Sequence, residues 1–95
     1  MGAIQYVGTA RIGPSGNAAY TGTAGTYGPC SSQTYKVRVL VTTDAWVTFD
    51  GTTPSNTAGA YVPALEPEYF TVTPGQSVKA VNVSAGGTLY VSECI

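Results

Sequence analysis

The stretch that decides the fold class is YKVRVLVTTDAWVTF, residues 35–49. Val37, Val39 and Val41 alternate with Lys36, Arg38 and Leu40, two of which are cationic. Because successive side chains of a β-strand point to opposite faces, this period of two predicts a strand with one apolar face. The alternation resumes after a short Thr-Asp turn and predicts a second strand beside the first.

Further short runs of β-forming residues follow about every 8–12 residues, separated by turn sequences such as Pro74-Gly75. No stretch has the periodicity of a helix of two turns or more. The pattern therefore predicts an all-β domain, a small β-sandwich or barrel that is jelly-roll-like. The predicted core rows are Tyr35/Val37/Val39/Val41, Val47/Phe49, Phe70/Val72, Val81/Val83 and Leu89/Val91.

Residues 1–33 have a different composition. They hold seven of the 12 glycines and only one charged residue, Arg11. Their apolar side chains are too few to form a core of their own, and glycine carries a high entropic cost of ordering. We therefore expect residues 1–33 to form an extended N-terminal arm that orders against neighbouring chains, and residues 34–95 to form the β-domain.

The composition argues against catalysis and against electrostatic binding. The 95 residues include no histidine, four Lys+Arg and five Asp+Glu, while 43% are hydrophobic. A serine nucleophile would lack its usual base, and four cations are too few for a nucleic-acid groove. We expect no enzyme activity, no cofactor, no metal site and no nucleic-acid partner. No apolar run approaches the roughly 18 residues of a membrane helix, so no membrane partner is expected either.

The two cysteines, Cys30 and Cys94, have no metal-binding spacing. Two free thiols are the favoured interpretation for a chain made in a reducing compartment. A disulfide between Cys30 and Cys94, which would tie the arm to the last strand, is the second alternative. An intermolecular bridge is the third.

Tyrosine and tryptophan are the best candidates for binding, because they combine a large apolar area with a hydrogen-bonding end. Trp46 interrupts the inward alternation of its strand and is predicted to lie on the opposite face. Such a position fits either a contact with another chain or a second core layer. The predicted interface residues are Trp46, Tyr69, Tyr90, Tyr6, Tyr20 and Tyr27.

Three segments carry a resemblance to a known class of proteins: VRVLVTTDAWVTF (37–49), EYFTVTPGQSVKAV (68–81) and GTLYVSE (87–93). Together they resemble the small all-β accessory virion proteins of tailed bacteriophages, of the capsid decoration or cement kind. The resemblance covers about residues 35–95, rests on strand rhythm and the proline-glycine turn, and brings no active-site residues with it.

The resemblance implies a structural virion protein, made in the host cytoplasm, that lies on the surface of a phage capsid. Its partners would be the major capsid protein and further copies of itself, as a dimer or trimer. One alternative is a component of the phage tail, the head–tail junction or the fibre attachment. Another is a carbohydrate-binding β-sandwich module with Trp46 and tyrosines as sugar platforms.

Overall fold

The computed structural model describes residues 12–94, which form eight β-strands and no helix. The predicted all-β class is confirmed. In chain order the strands are β1 (Ile12–Tyr20), β2 (Gly25–Tyr27), β3 (Lys36–Val41), β4 (Ala45–Thr48), β5 (Ala60–Val62), β6 (Glu68–Thr71), β7 (Val78–Asn82) and β8 (Gly87–Cys94).

The strands pair as a nested, antiparallel set: β1 with β8, β2 with β7, β3 with β6, and β4 with β5. Two further antiparallel pairings, β3 with β8 and β4 with β7, join these pairs into two four-stranded sheets. Sheet A has the order β1-β8-β3-β6, and sheet B has the order β2-β7-β4-β5. Each sheet therefore contains strands from both halves of the sequence.

The inward side chains of both sheets belong to one buried cluster. In sheet A, Val37, Val39 and Val41 of β3 have no exposed surface, as the alternation predicted. Leu89 and Val91 of β8 are equally buried. A shift of one residue in any of these strands would turn its apolar set to solvent, so burial fixes the register. The fully buried contribution of sheet B is Ala45, Val47, Val62, Val78 and Ala80.

The predicted core row Val81/Val83 is wrong for β7. The inward residues are Val78 and Ala80, while Val81 is half-buried and Val83 is 43% exposed. The physical reason is Lys79, which shares a face with Val81 because the two are the second and fourth residues of the strand. The predicted orientation would have placed an ammonium group in the core, where an unpaired charge is costly.

The structure also differs from the expected arm for residues 12–33. Residues 12–20 form β1, which pairs with β8 from Ser15↔Ser92 to Tyr20↔Gly87. Residues 25–27 form β2, which pairs with β7. Small residues such as Gly16 and Ala18 suffice in these strands, because the pairing uses backbone groups and most of the apolar core comes from other strands. The expectation for residues 1–11 lies outside the described residues.

Tyr35 was expected in the core, but its side chain is 64% exposed. Its carbonyl still accepts a hydrogen bond of 2.9 Å from the Val72 N–H, so its backbone belongs to the β3–β6 ladder. The residue comes just before β3, where the opposite sheet no longer covers it. Phe49 and Phe70 are partly buried against the core, with ring centroids 4.5 Å apart.

Tyr20 connects the end of β1 to the turn between β3 and β4. Its ring is only 2% exposed, and its hydroxyl donates to the carbonyl of Thr43 at 2.5 Å. The Thr43 N–H in turn donates to the Tyr20 hydroxyl at 3.2 Å. Gly87 makes room for this contact, since a Cβ there would lie 2.9 Å from the Tyr20 hydroxyl and 2.5 Å from Thr43 Oγ1.

Candidate interaction surfaces

The outer face of sheet B carries an apolar surface across three adjacent strands. Strand register places Trp46 of β4 between Tyr61 of β5 and Val81 of β7. Trp46 is half-buried and Tyr61 is 47% exposed. Val83, whose N–H bonds to the Asp44 carbonyl at 3.2 Å, extends this surface beyond β7. We call these four side chains (Trp46, Tyr61, Val81, Val83) the Trp46 face, and their position agrees with the prediction for Trp46.

Asp44 holds the Tyr61 ring in place on this face. The Tyr61 hydroxyl donates to Asp44 Oδ2 at 2.7 Å, and the Ala64 N–H donates to Oδ1 at 2.8 Å. The hydrogen bond from Tyr61 is the main cause that lowers the pKa of Asp44, and the same bond raises the pKa of Tyr61. The rings of Trp46 and Tyr61 meet edge to face, with centroids 5.3 Å apart and an interplanar angle of 64°. The hydrogen bond and the ring contact together restrict the Tyr61 side chain.

The outer face of sheet A has a different character, with aromatic rings beside cations. Tyr69 and Tyr90, two of the predicted interface residues, are 41% and 43% exposed. Lys36 Nζ lies 5.8 Å from the centroid of the Tyr69 ring, and Arg38 is the direct cross-strand neighbour of Tyr69. The predicted aromatic candidates thus divide between two opposite faces and do not form one cluster.

Two other predicted interface residues point into the molecule. Tyr20 is a core residue, as described above. Tyr27 is half-buried, and its hydroxyl donates to Glu93 Oε2. Both were assigned to an arm on composition, and both contact the core because the strands they end, β1 and β2, belong to the sheets. Tyr6 lies outside the described residues.

Sequence reasoning missed Glu93, a carboxylate that is only 3% exposed. Its Oε1 accepts hydrogen bonds from the Ser31 N–H at 2.9 Å and the Thr34 hydroxyl at 2.5 Å, and its Oε2 accepts from Tyr27. Burial alone would raise the pKa of Glu93, but these donors outweigh it and lower the pKa. Burial, followed by the bond to Glu93, raises the pKa of Tyr27. The carboxylate thus fixes the β2–β3 connection to β8.

The position of Glu93 in the alternation of β8 could have indicated that its side chain is buried. It continues the inward row of Leu89 and Val91 with a period of two, so an acidic side chain falls where an apolar one is expected. A buried carboxylate requires donors, and the Ser-Ser-Gln-Thr segment at 31–34 contains them. Only the tertiary contacts reveal that these groups meet.

Cys30 and Cys94 are both buried and both have free thiols. Cys30 belongs to the core cluster. Cys94 follows the inward Glu93 along β8, so its side chain points to the outer face of sheet A, away from Cys30. Burial is the main cause that raises the pKa of each thiol, which disfavours the reactive thiolate.

A cleft of about 540 Å³ opens between the two sheets at the edge strands β5 and β6. Val47, Phe49 and Val72 give it an apolar lining, and the hydroxyl-bearing Thr71 and Thr73 contribute on the β6 side. Asp50 is the acidic residue in the lining, and backbone and side-chain hydrogen bonds from Thr52 are the main causes that lower its pKa. This cleft is not apparent from the sequence, because it is formed by residues from 47 to 73 that meet only after the sheets assemble.

Among residues 12–94, no group of three or more His, Cys, Asp or Glu side chains is placed to hold a metal ion. Within the same part of the chain, no helix has the length and apolar character of a membrane span. A comparison with protein-family models found no match, and neither did comparisons with curated proteins and with solved structures.

Proposed function

We propose that this is a structural virion protein that binds the outer surface of a phage head and cements neighbouring major capsid protein subunits. We also propose that the two sheets form a jelly-roll sandwich. The nested pairing of eight strands in two four-stranded sheets supports this fold, which is common among viral capsid domains and lectins. Proteins with this fold have several different functions, so the fold alone supports a capsid role only weakly. The stronger support comes from the residues on the protein surface.

The Trp46 face is the observation that carries the proposal. It places a tryptophan, a tyrosine and two valines on the outside of a chain in which only 9% of residues are charged. Contiguous apolar surface of this kind marks protein contacts, and tryptophan and tyrosine dominate the binding free energy in such contacts. Because the hydrogen bond to Asp44 restricts the Tyr61 ring, less side-chain entropy is lost on binding than for an unrestrained tyrosine.

The proposed mechanism is stabilisation by linkage. A protein that binds the assembled shell but not its separated subunits shifts the equilibrium towards the shell. The favourable free energy increases with each bound copy, and a low surface charge keeps electrostatic repulsion between closely spaced copies small. Since the sequence contains no histidine and no nucleophile–base arrangement was found in it, the proposal includes no catalytic step.

The copy number per virion tests this proposal against its closest alternative. A cement protein is expected in hundreds of copies, whereas a component of the tail, the head–tail junction or the fibre attachment is expected in about 3–12 copies, as closed rings require. Quantitative mass spectrometry of purified virions measures this number. A count of about a dozen or fewer would contradict the cement proposal and favour the tail alternative.

A substitution of Trp46 tests the surface itself. Trp46→Ala should leave the domain folded and weaken binding to phage heads by about 2 kcal/mol or more, roughly 30-fold in the dissociation constant. Tyr35→Ala is the matched control, because Tyr35 is more exposed and lies away from the Trp46 face. If the Trp46→Ala variant binds phage heads with unchanged affinity, the Trp46 face is not the binding surface.

The carbohydrate-binding alternative shares the aromatic pair but requires a different geometry. Sugar rings stack on flat aromatic surfaces, whereas Trp46 and Tyr61 meet at 64°. Tyr69 and Tyr90 lie on the other sheet and do not extend the pair. Retention of the protein on immobilised polysaccharides, lost in Trp46→Ala, would favour this alternative.

A further inference from the structure

We propose that Leu65, in the loop between β5 and β6, is an anchor that inserts into an apolar pocket with a cationic rim on the major capsid protein. This inference rests on the proposed function and adds a contact that the Trp46 face alone does not supply. Three features of the loop support it: the backbone conformation of Leu65, the exposure of its side chain, and the charges beside it.

Leu65 has a backbone conformation that is unfavourable for leucine. Its φ angle is 61°, and within residues 12–94 no other residue with a side chain has a positive φ. In this left-handed region the Cβ atom of an L-amino acid crowds the following carbonyl oxygen, so glycine and asparagine are the residues usually found there. Leucine therefore destabilises the turn that it forms with Ala64, relative to glycine at the same position.

The rest of the fold holds the loop in this conformation. The Leu65 N–H donates to the Val41 carbonyl at 2.8 Å, and the Ala64 N–H donates to Asp44 Oδ1 at 2.8 Å. The prolines on either side of the turn restrict the backbone further, because each ring fixes its own φ. These contacts restrict the loop, so less entropy is lost on binding than for an unrestrained loop.

The side chain of Leu65 gains little inside the molecule in return for this strain. It is 68% exposed, the largest exposed fraction among the large hydrophobic side chains of the described residues. Burial of apolar surface would stabilise a leucine here, but within one copy that burial does not occur. Leucine is therefore the better residue at this position only when another molecule covers its side chain, and strained residues of this kind concentrate at functional contacts.

Asp44 joins this loop to the Trp46 face. Its carboxylate accepts one hydrogen bond from the loop backbone and one from the Tyr61 hydroxyl. Its carbonyl accepts a hydrogen bond from the Val83 N–H. One residue thus contacts the loop and two members of the face. The loop therefore borders the Trp46 face, and one partner can contact both.

The charges beside Leu65 indicate the chemistry of the pocket. Glu66 follows it in the chain and is exposed, and Glu68 begins β6 two residues later. Residues 60–70 carry these two acidic side chains and no basic one. Because opposite charges favour docking, the surface that receives Leu65 should be apolar at its centre and carry lysine or arginine side chains at its rim.

Three substitutions at Leu65 separate the role of its side chain from that of its backbone. Leu65→Ala keeps the Cβ atom and the strain but removes the anchor, Leu65→Gly removes both, and Leu65→Met keeps an apolar side chain of similar size. Binding to phage heads purified without this protein should weaken by about 10-fold or more for the alanine and glycine variants, whereas the methionine variant should bind more tightly than either. The glycine variant alone should raise the melting temperature, by about 2–8 °C, because glycine relieves the strain.

A charge reversal at the next residue tests the cationic rim. Glu66→Lys should weaken binding to heads more than Glu66→Gln does, since it places like charges together. The difference should shrink as the salt concentration rises to about 1 M, where the screening length is about 3 Å. Both variants should unfold like the wild type, because Glu66 is exposed. Equal affinities of the two variants at low salt would overturn the proposed chemistry of the pocket.

The possible results separate this inference from the proposed function. If Leu65→Ala binds heads like the wild type while Trp46→Ala does not, the anchor is refuted and the cement proposal stands. If the wild-type protein does not bind heads, both fail. A glycine variant that is no more stable than the wild type would refute the strain on which the inference depends. Self-association of the purified protein that Leu65→Ala abolishes would show that a second copy supplies the pocket, and would overturn its assignment to the capsid protein.

Discussion

Replacement of Glu93 by glutamine should lower the free energy of unfolding by about 2 kcal/mol at neutral pH. Glutamine retains the size of the side chain, and its carbonyl still accepts from Ser31 and Thr34. Its amide nitrogen then faces the Tyr27 hydroxyl, which can turn to accept. What is lost is the negative charge. Hydrogen bonds to charged groups contribute about 1.5–3 kcal/mol each and neutral ones about 0.5–1.5, so three bonds lose about 3–4.5 kcal/mol in total if water replaces none of them.

We expect a smaller loss of about 2 kcal/mol, because Ser31 is exposed and Tyr27 is half-buried. Water can therefore form part of the hydrogen bonding that the carboxylate supplied. Urea unfolding followed by the fluorescence of Trp46, the single tryptophan, measures this difference. For a chain of this size the melting temperature should fall by about 8–16 °C. Glu66→Gln is the matched control, because Glu66 is exposed and should tolerate the change without a loss of stability.

The pH dependence gives an independent check. Because the pKa of Glu93 is lowered in the folded state, its contribution is present above the usual value of 4.5 and is lost as the pH falls through the folded value. The difference in unfolding free energy between wild type and Glu93→Gln should therefore be full at about pH 7 and should shrink below about pH 4.5. Equal stabilities at pH 7, or a difference that stays constant down to about pH 3, would refute the reasoning.

Three further predictions concern the core and the thiols. Tyr20→Phe removes the hydroxyl that bonds the β3–β4 turn and should cost about 1–2 kcal/mol in urea unfolding, with a smaller effect arguing against that bond. Val81→Lys should leave a folded protein by circular dichroism, whereas Ala80→Lys should not fold, and the reverse result would invalidate the observed register of β7. A thiol reagent should modify neither Cys30 nor Cys94 in the native protein and both after unfolding, while rapid labelling of the native state would show that a thiol is accessible.

The sequence by itself determined the all-β class and the inward faces of β3, β4 and β8. In β3, cationic side chains occupy the alternate positions, so only one orientation of Val37, Val39 and Val41 avoids burying a charge. The same reasoning correctly placed Trp46 on an outer face, because its neighbours Ala45 and Val47 are buried. Local alternation is sufficient to predict the inward face of a strand wherever its two faces differ in polarity.

Tertiary structure alone decided the features that depend on which strand lies beside which. The glycine-rich residues 12–27 carry little apolar signal, and their place in the sheets comes from backbone pairing with β7 and β8. Glu93 meets Ser31 and Thr34 across about 60 positions of sequence, and the edge-to-face contact of Trp46 with Tyr61 follows from the β4–β5 register. Sequence patterns record the two faces of a single strand, whereas these contacts arise from pairings between distant strands, which no local pattern encodes.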